Sequence, residues 1–453
     1  MKKWKATVLL TIVLVVTAIL TAAAFVRFPI GTKDFNGFLG AIQTDYDLSG
    51  GTAYTLTLDK ENTEDVEDVN EVVGTFKYRL ELLGYENYSV KAIKDVDEAV
   101  KDHDIRIETR GKTDGSGSVD KTTLNQDIAV VAAYGELTFY GGTEKSPTEK
   151  ILTDDKAVSD ASYGGTGTDG TTTYYIININ FSDYGYTELK KLIGDGTYYL
   201  RIDVGEKSLT GTEGLAIAAS SFSKNYTLTT TAGESMARQF ALQIKSGGLA
   251  YKYNVSDGVD ISSPLGENLE LKSVIAISAL VVVAVAVMFV LDKKYGLVSC
   301  LSTILFIDLY LAMLIAIPNV RVSFGGVIGF ALATVLMFDA FFITSKRIKE
   351  ELGRGKTVKS AVKSGYTRAL APIAGTSGIA LALALILLAF ASGAVKNFAL
   401  IFAIGTVLTA IVGMLVSRMF TNLILPIAGY EESFFGVKKT DGDETEVAEE
   451  KGE

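Results

Sequence analysis

With one cysteine and one histidine in 453 residues, the chain is poor in the side chains that most often hold metals or carry nucleophilic catalysis. Cys300 cannot close a disulfide within one chain, and no His/Cys metal cluster can be assembled. His103 stands between Asp102 and Asp104 and reads as a solvated loop residue, which argues against catalytic triads and dyads that need a histidine. A basic balance is also missing. The net charge is −10, carried largely by residues 27–272 and by the tail Asp441–Glu453, and it argues against nucleic-acid binding. Nor is there a phosphate-binding loop. The strings GGTGTDG and GDG lack the lysine and the following helix, and the GKT of LGRGKTVK has no preceding strand or first glycine at the required spacing. The acids are too numerous and too unclustered to nominate a general acid/base pair. The expectation is a protein that is not an enzyme and needs no cofactor or metal.

What the chain does have is long apolar runs. Hydrophobic residues make up 48% of it, and six runs stand out: residues 6–26, 273–291, 297–317, 324–345, 370–392 and 396–417. The first follows MKKWK and ends in Thr21-Ala-Ala-Ala24; its apolar core is too long for a cleaved signal peptide and reads as an uncleaved anchor. Lys2, Lys3 and Lys5 precede it, Lys293 and Lys294 separate the second and third runs, and Lys346–Arg368 carries eight Lys or Arg. The remaining loops are poor in basic residues, so both termini are expected in the cytoplasm and residues 27–272 outside.

The run from Phe324 to Arg347 holds one carboxylate, Asp339. It lies seven residues before Lys346, roughly 10 Å inside the boundary at 1.5 Å per residue, and is expected to face other helices or a polar cavity. Membrane carboxylates are costly and tend to mark ion pathways, although a carboxylic acid bonded to a neighbouring hydroxyl would also satisfy the position. Asp308, in LFIDLYLAM, is a second intramembrane acid, for which a proton role and a packing role weigh equally.

The outside segment reads as α+β. A strand is expected from Thr44 through Leu58, then a helix from about Glu64 to Leu83 closed by Gly84, strands at 88–93 and 105–109, and the linker GKTDGSGSVDK. Further strands are expected at 135–140, 174–181, 198–204 and 249–255, with helices at 184–193 and 234–246. The order suggests a ferredoxin-like base, about 40–142 and 233–260, split by an inserted head, about 143–232. Tyr174, Tyr175, Tyr198 and Tyr199 read as sheet packing. Residues 273–430 then hold spans two to six, and 431–453 read as an acidic disordered tail. The fold class is an α-helical membrane protein with six transmembrane helices, one plus five, and a large extracytoplasmic α+β domain.

Five strings in order, DLSGGT (47–52), RLELLG (79–84), ARQFALQIKSGGL (237–249), SPLGENL (263–269) and FDAFFITSKRIKEELGRGKTVKSAVKSGY (338–366), resemble the landmarks of the SecD family. These are auxiliary subunits of the bacterial Sec translocase within the resistance-nodulation-division superfamily. The motif positions are Asp47, Gly50, Gly51, Arg79, Gly84 and Gly248. The resemblance implies a bacterial plasma-membrane protein that pairs with a SecF-like subunit, associates with the SecYEG channel and YajC, and uses the proton gradient to draw unfolded preprotein outward, in contact with membrane lipids and not nucleic acid. It also implies that Asp339 is the proton-responsive carboxylate, with the family's following arginine on Arg347 and its Thr-Arg pair on Ser417 and Arg418; Arg418 either tunes that carboxylate or snorkels to the boundary. The chain departs from the family at Ser49, which replaces an arginine, at Phe341, which replaces an asparagine, and in helix five, where Gly375 and Ser377 stand in place of a polar Asp/Asn cluster. A superfamily exporter half for lipids, peptides or drugs, and a non-transporting scaffold, are the alternative readings.

Overall fold

The computed structural model describes residues 3–437 except 27, 31–32, 36, 60–68, 94–102, 113–118, 136, 153–154, 171, 194–196, 206, 211–212, 219–221, 250 and 318–319. The expected helix start at Glu64, most of the Gly-Ser linker and the tail beyond 437 lie outside the described residues. Two compact units emerge: one from the N-terminus to Gly50 and from Ser262 onward, the other from Gly51–Lys112 and Val119–Ile261.

The chain opens with helix α1 (Lys3–Phe25), which belongs to the first unit. In the second unit, β1 (Gly51–Leu58), α2 (Val69–Leu82), β2 (Tyr88–Ala92), β3 (Ile105–Thr109) and α3 (Lys121–Val131) follow in order. After an excursion the chain returns through strands Tyr253–Val255 and Val259–Ile261, both antiparallel to β1. The spatial order is the 253–255 strand, β1, β3, β2, antiparallel throughout. That is the βαββαβ order of the expected ferredoxin-like base.

Its second helix, however, is α3, which the sequence reading passed over as part of a linker. Asp120 caps it by accepting from the N–H groups of Thr122 and Thr123, both at 3.0 Å, and Leu124, Ile128 and Val131 form its fully buried face. They pack with Val72, Val73, Phe76 and Leu80 of α2 against Tyr54, Leu56, Ile105 and Ile107 of the sheet. Lys121 pairs with Asp260 at 2.7 Å and through its hydrogen bonds holds that carboxyl below the usual range.

The excursion contains β4 (Leu137–Gly142), β5 (Lys150–Leu152), β6 (Val158–Asp169), β7 (Thr172–Phe181), helix α4 (Asp183–Ile193), β8 (Thr197–Val204), β9 (Leu215–Ala218), β10 (Asn225–Thr230) and helix α5 (Glu234–Ser246). One sheet joins β5, β4, β8 and β9; the other runs β10-β7-β6. The sequence grouped β4 and α5 with the base. The structure instead pairs β4 with β8, and α5 sends Ala237, Phe240, Ala241 and Ile244 into the core of the excursion with Phe139, Phe181 and Ile202. Alternation of apolar residues cannot say which sheet a strand joins, because hydrogen-bond partners are set by register across the chain. Tyr198 does pack in this core, as expected.

One side chain ties these layers together. Arg79, near the C-terminal end of α2, is fully buried. Its Nη1 donates to the carbonyls of Val131 (2.8 Å) and Ala133 (2.9 Å), its Nε to Ser246 Oγ (2.9 Å) and its Nη2 to Gly247 O (3.0 Å). The ends of α3 and α5, where carbonyls lack intrahelical partners and the helix dipoles are negative, thus converge on one guanidinium. Gly84 (φ +85°) closes α2 beside it, and Gly248 lies in the turn after α5.

In the first unit, α1 is joined by α6 (Leu269–Asp292), α7 (Tyr295–Ala316), α8 (Phe324–Gly353), α9 (Val358–Phe390) and α10 (Gly393–Ala428). Among the described residues these six helices are long and apolar enough to cross a membrane. The basic loop expected from 346 to 368 is mostly helix: α8 and α9 run past their apolar stretches and are joined only by residues 354–357. Hydropathy marks the bilayer-facing length of a helix, not its end. Beyond α10, Phe434 and Phe435 are buried against Tyr295, so the first residues of the expected tail are ordered.

Arg79→Ala should strip the buried carbonyls of Val131, Ala133 and Gly247 of their donor and destabilise the second unit by about 3 kcal/mol or more. Arg79→Lys, with one ammonium for four acceptors, should recover only part of this. Thermal proteolysis of the full chain in detergent, reading cleavage within residues 51–261, checks it; unchanged thresholds for both variants would contradict this role for Arg79.

Candidate functional site

The centre of the membrane unit is α8. Its N-terminus is held by an unusual number of polar contacts. Ser323 caps it by accepting from the N–H of Gly326 at 3.1 Å, and Asn397 Oδ1 accepts from both the N–H (3.0 Å) and the hydroxyl (2.8 Å) of Ser323. Asn397 also donates to the carbonyl of Arg321. The N–H of Phe324 donates to Asp47 Oδ2 at 3.0 Å, which places a carboxylate on the positive end of a 30-residue helix.

Asp47 is itself built into a tight local structure. The sequence suggests one strand from Thr44 onward, but Tyr46–Ser49 form a short helical turn whose first N–H donates to Asp45 Oδ1 at 2.8 Å. The reason is the Asp45–Ser49 string: aspartates bond their own local backbone and so compete with the sheet ladder. Gln43–Thr44 pair in parallel with Arg321–Val322, and Ser263 Oγ donates to the carbonyl of Asp47 at 2.6 Å. Gly50 then adopts φ +80°, and β1 starts at Gly51, where an added Cβ would lie 2.3 Å from the Thr109 carbonyl. The Asp47, Gly50 and Gly51 positions are therefore a helix clamp, a turn and a close backbone approach, set side by side at the point where the chain leaves one unit for the other.

Along α8, Gly326 and Gly329 let α10 come close; a Cβ on Gly329 would sit 2.8 Å from the Phe398 carbonyl. Thr409 of α10 donates to the Ala333 carbonyl at 3.0 Å. Phe330, Met337, Phe338 and Phe341 are buried on this side. Phe341 thus fills the core where the family carries an asparagine.

Asp339 is not on that side. It is exposed on the surface of this chain, in a stripe of exposed residues formed by Ile328, Leu332, Val335, Asp339, Phe342 and Lys346. The spacing alternates between four and three residues, the spacing of a helix-pairing seam. Within this chain Asp339 meets neither the other helices nor the cavity described below: depth along the helix was readable from the sequence, but direction around it was not.

The companions expected for Asp339 are placed elsewhere. Arg347 donates to Glu350 Oε2 at 2.7 Å, one turn along the same helix. Arg418 is half-buried and lies near Tyr366, whose hydroxyl is within 2.9 Å of Thr421 and 3.2 Å of Tyr295. Just before Arg418, residues Val412–Val416 form a wider π-helical turn, and Ser417 Oγ donates to the Gly413 carbonyl at 2.6 Å. Asp308 is buried and accepts from Thr21 Oγ1 of α1 at 2.7 Å.

Sequence reading missed a buried charge centre at the other end of α8. Glu351 is fully buried and meets Arg354 (2.5 Å), Lys356 (2.5 Å) and Arg368 (2.9 Å), pinning the short turn between α8 and α9. Asp292, also buried, accepts from Ser345 and Lys349 and fastens the end of α6 to α8. The signal available was two acids in a strongly basic segment.

The fold and site define a multi-pass membrane protein of one-plus-five span layout with a large α+β unit between its first and second spans. No protein-family model matches the chain. It is 32% identical over 192 residues to the protein translocase subunit SecD of Escherichia coli (strain K12), covering 42% of this chain and 31% of that protein. It is 28% identical over 212 residues to SecD of Synechocystis, covering 47% of this chain and 43% of that protein. The chain thus spans 31% and 43% of the length of these two relatives. A crystal structure of SecDF in its super-membrane-facing form matches over 94% of this chain and 58% of its own, with a TM-score of 0.70 and 19% identity, and so shares the fold. Over the matched part the chain is similar to SecD proteins, and it shares the fold of the SecDF structure.

Asp47→Ala should weaken the α8 clamp by about 1 to 2 kcal/mol, and Asp47→Asn, which keeps an acceptor but not the charge, by about half that. Half-buried Cys300 on α7 reports the unfolding of this unit. A thiol-reactive fluorophore added during heating in detergent should react at lower temperature in the order Ala, Asn, native; identical curves would remove Asp47 as a stabilising contact.

Proposed function

We propose that this chain is an accessory subunit of polypeptide export, working beside a SecF-like partner and the SecYEG channel, with YajC, on unfolded preprotein in the bacterial plasma membrane. It drives no covalent chemistry in this reading. Both termini lie in the cytoplasm, as the basic residues around the spans suggest.

The observation that carries this reading is Asp339 in an exposed apolar seam. An ionised carboxylate facing lipid is expensive, so the seam calls for a cover that supplies a partner for the charge or accepts the protonated form. A homologous set of spans meets that need, and the heptad spacing of the seam suits a packed helix. Protonation of Asp339 then removes the charge and lets α8 repack. Because Asp47 clamps the start of α8 and stands four residues before the glycine that opens the second unit, a shift of α8 reaches the chain entering that unit. The membrane potential supplies about 2.3 kcal/mol per proton per 100 mV, enough to bias such an equilibrium roughly fifty-fold. Asp308, hydrogen-bonded inside the chain, is assigned a packing role.

Export of a secreted reporter in cells lacking native SecD, supplied with this chain and its partner subunit at matched levels, tests the reading. The intact chain and Asp308→Asn should restore export, and Asp339→Asn should not. Equal rescue by Asp339→Asn would remove the carboxylate from the cycle, and failure of the intact chain would count against an export role.

A further inference from the structure

At the end of the bundle where α6 begins, the membrane unit forms a half-open cavity of about 970 Å³. Its inner wall is apolar: Ile307, Leu311 and Leu314 of α7, Phe330 of α8 and Ile401 of α10. The α6 wall changes character along its length. Glu270 stands at the mouth, its Oε2 accepting from Ser49 Oγ at 2.9 Å. One turn deeper comes Ser273, then Ile277 and Val281. Ser273 lines the cavity and is 93% buried, and its hydroxyl has no hydrogen-bond partner among the described residues. Glu267 and Glu270 are the charged residues among those lining the cavity, so the mouth is acidic without a cation to offset it. Leu271, Val274 and Val282 of α6 also line the cavity and are exposed, so it opens sideways along α6.

We propose that this cavity binds one acyl chain of an amine-bearing membrane lipid. The ammonium of the headgroup meets Glu270 and Glu267, an ester carbonyl accepts from the Ser273 hydroxyl, and the chain follows Ile277 and Val281 to Leu311 and Phe330. From Glu270 to Val281 the helix rises about 16 Å, close to half of a roughly 30 Å hydrocarbon core, so the order of charge, hydroxyl and apolar wall matches one leaflet of lipid. A polypeptide segment suits the cavity less well. Each of its residues brings an N–H and a C=O that must be satisfied at that depth, and along α6 beyond Ser273 the lining is apolar apart from Ser278, whose hydroxyl already donates to the Val274 carbonyl. The acidic mouth likewise disfavours an anionic headgroup.

The full chain, delipidated in detergent, is titrated separately with phosphatidylethanolamine and phosphatidylglycerol and read by native mass spectrometry. Retention of one phosphatidylethanolamine per chain, in preference to phosphatidylglycerol, is the expected result. Val281→Trp, which fills the cavity, should cut occupancy at least about tenfold, while Val290→Trp, on the exposed face of the same helix, should not. Glu270→Gln should lower the preference for the amine by up to about fivefold while leaving chain binding in place. The thiol-reactivity melt of Cys300 confirms that each variant is folded. Equal occupancy in Val281→Trp and Val290→Trp, no preference between the two headgroups, or displacement of the lipid by a soluble hydrophobic peptide at equal concentration would overturn the proposal.

Discussion

The hydrogen bond from the Phe324 N–H to the Asp47 carboxylate sets the geometry of the membrane unit. The helix it caps is packed against α10 through glycine, tied to α6 through Asp292 and fastened to α9 through Glu351. A helix held at its start, along one side and at its end has one side left to use. That remaining side carries Asp339. The carboxylate is thus presented at a fixed height on a helix whose freedom is limited to small shifts and rotations within a packed bundle, the kind of motion that bistable packing converts into discrete states.

The two buried charge centres illustrate different ways of paying desolvation. Glu351 is neutralised by three cations at the water-facing end of α8, where long arginine and lysine stems keep their heads partly in solvent. Arg79 is buried completely and leans on the carbonyls at two helix ends, whose partial charges are fixed by the fold. Either centre joins elements far apart in sequence and fails if one of them moves. In the second unit this matters because α5 is shared: one face completes the core of the excursion, while its C-terminal end meets the guanidinium of the base.

Much of the architecture was legible because membrane spans and helix caps are local signals. The six apolar runs and the helix at 234–246 depend on residues within a few positions of one another. The ferredoxin-like base was also readable as an order of elements, although α3 was hidden behind a Gly-Ser-rich stretch despite its Asp120 cap and its buried residues at 124, 128 and 131. The partition of the sheets was not legible, since β4 alternates in the same way whichever neighbour it joins. Asp339 shows the same limit at the candidate site. Its chemistry and depth follow from the chain, but its outward direction follows from which side of α8 bears the glycines that α10 needs.

That last point constrains the departures from the family pattern. Phe341, on the same helix as Asp339, and Gly375 and Ser377 in helix five differ in where they point. Phe341 is wholly inside, so losing the family's asparagine there changes the core of this chain rather than the seam. Gly375 is exposed on α9, and Ser377, two residues on, is buried. Glycine at an exposed intramembrane position leaves backbone accessible to a close neighbour, which is how small residues allow helices to approach in lipid. Gly375 therefore puts backbone, rather than a polar side chain, on the exposed side of α9.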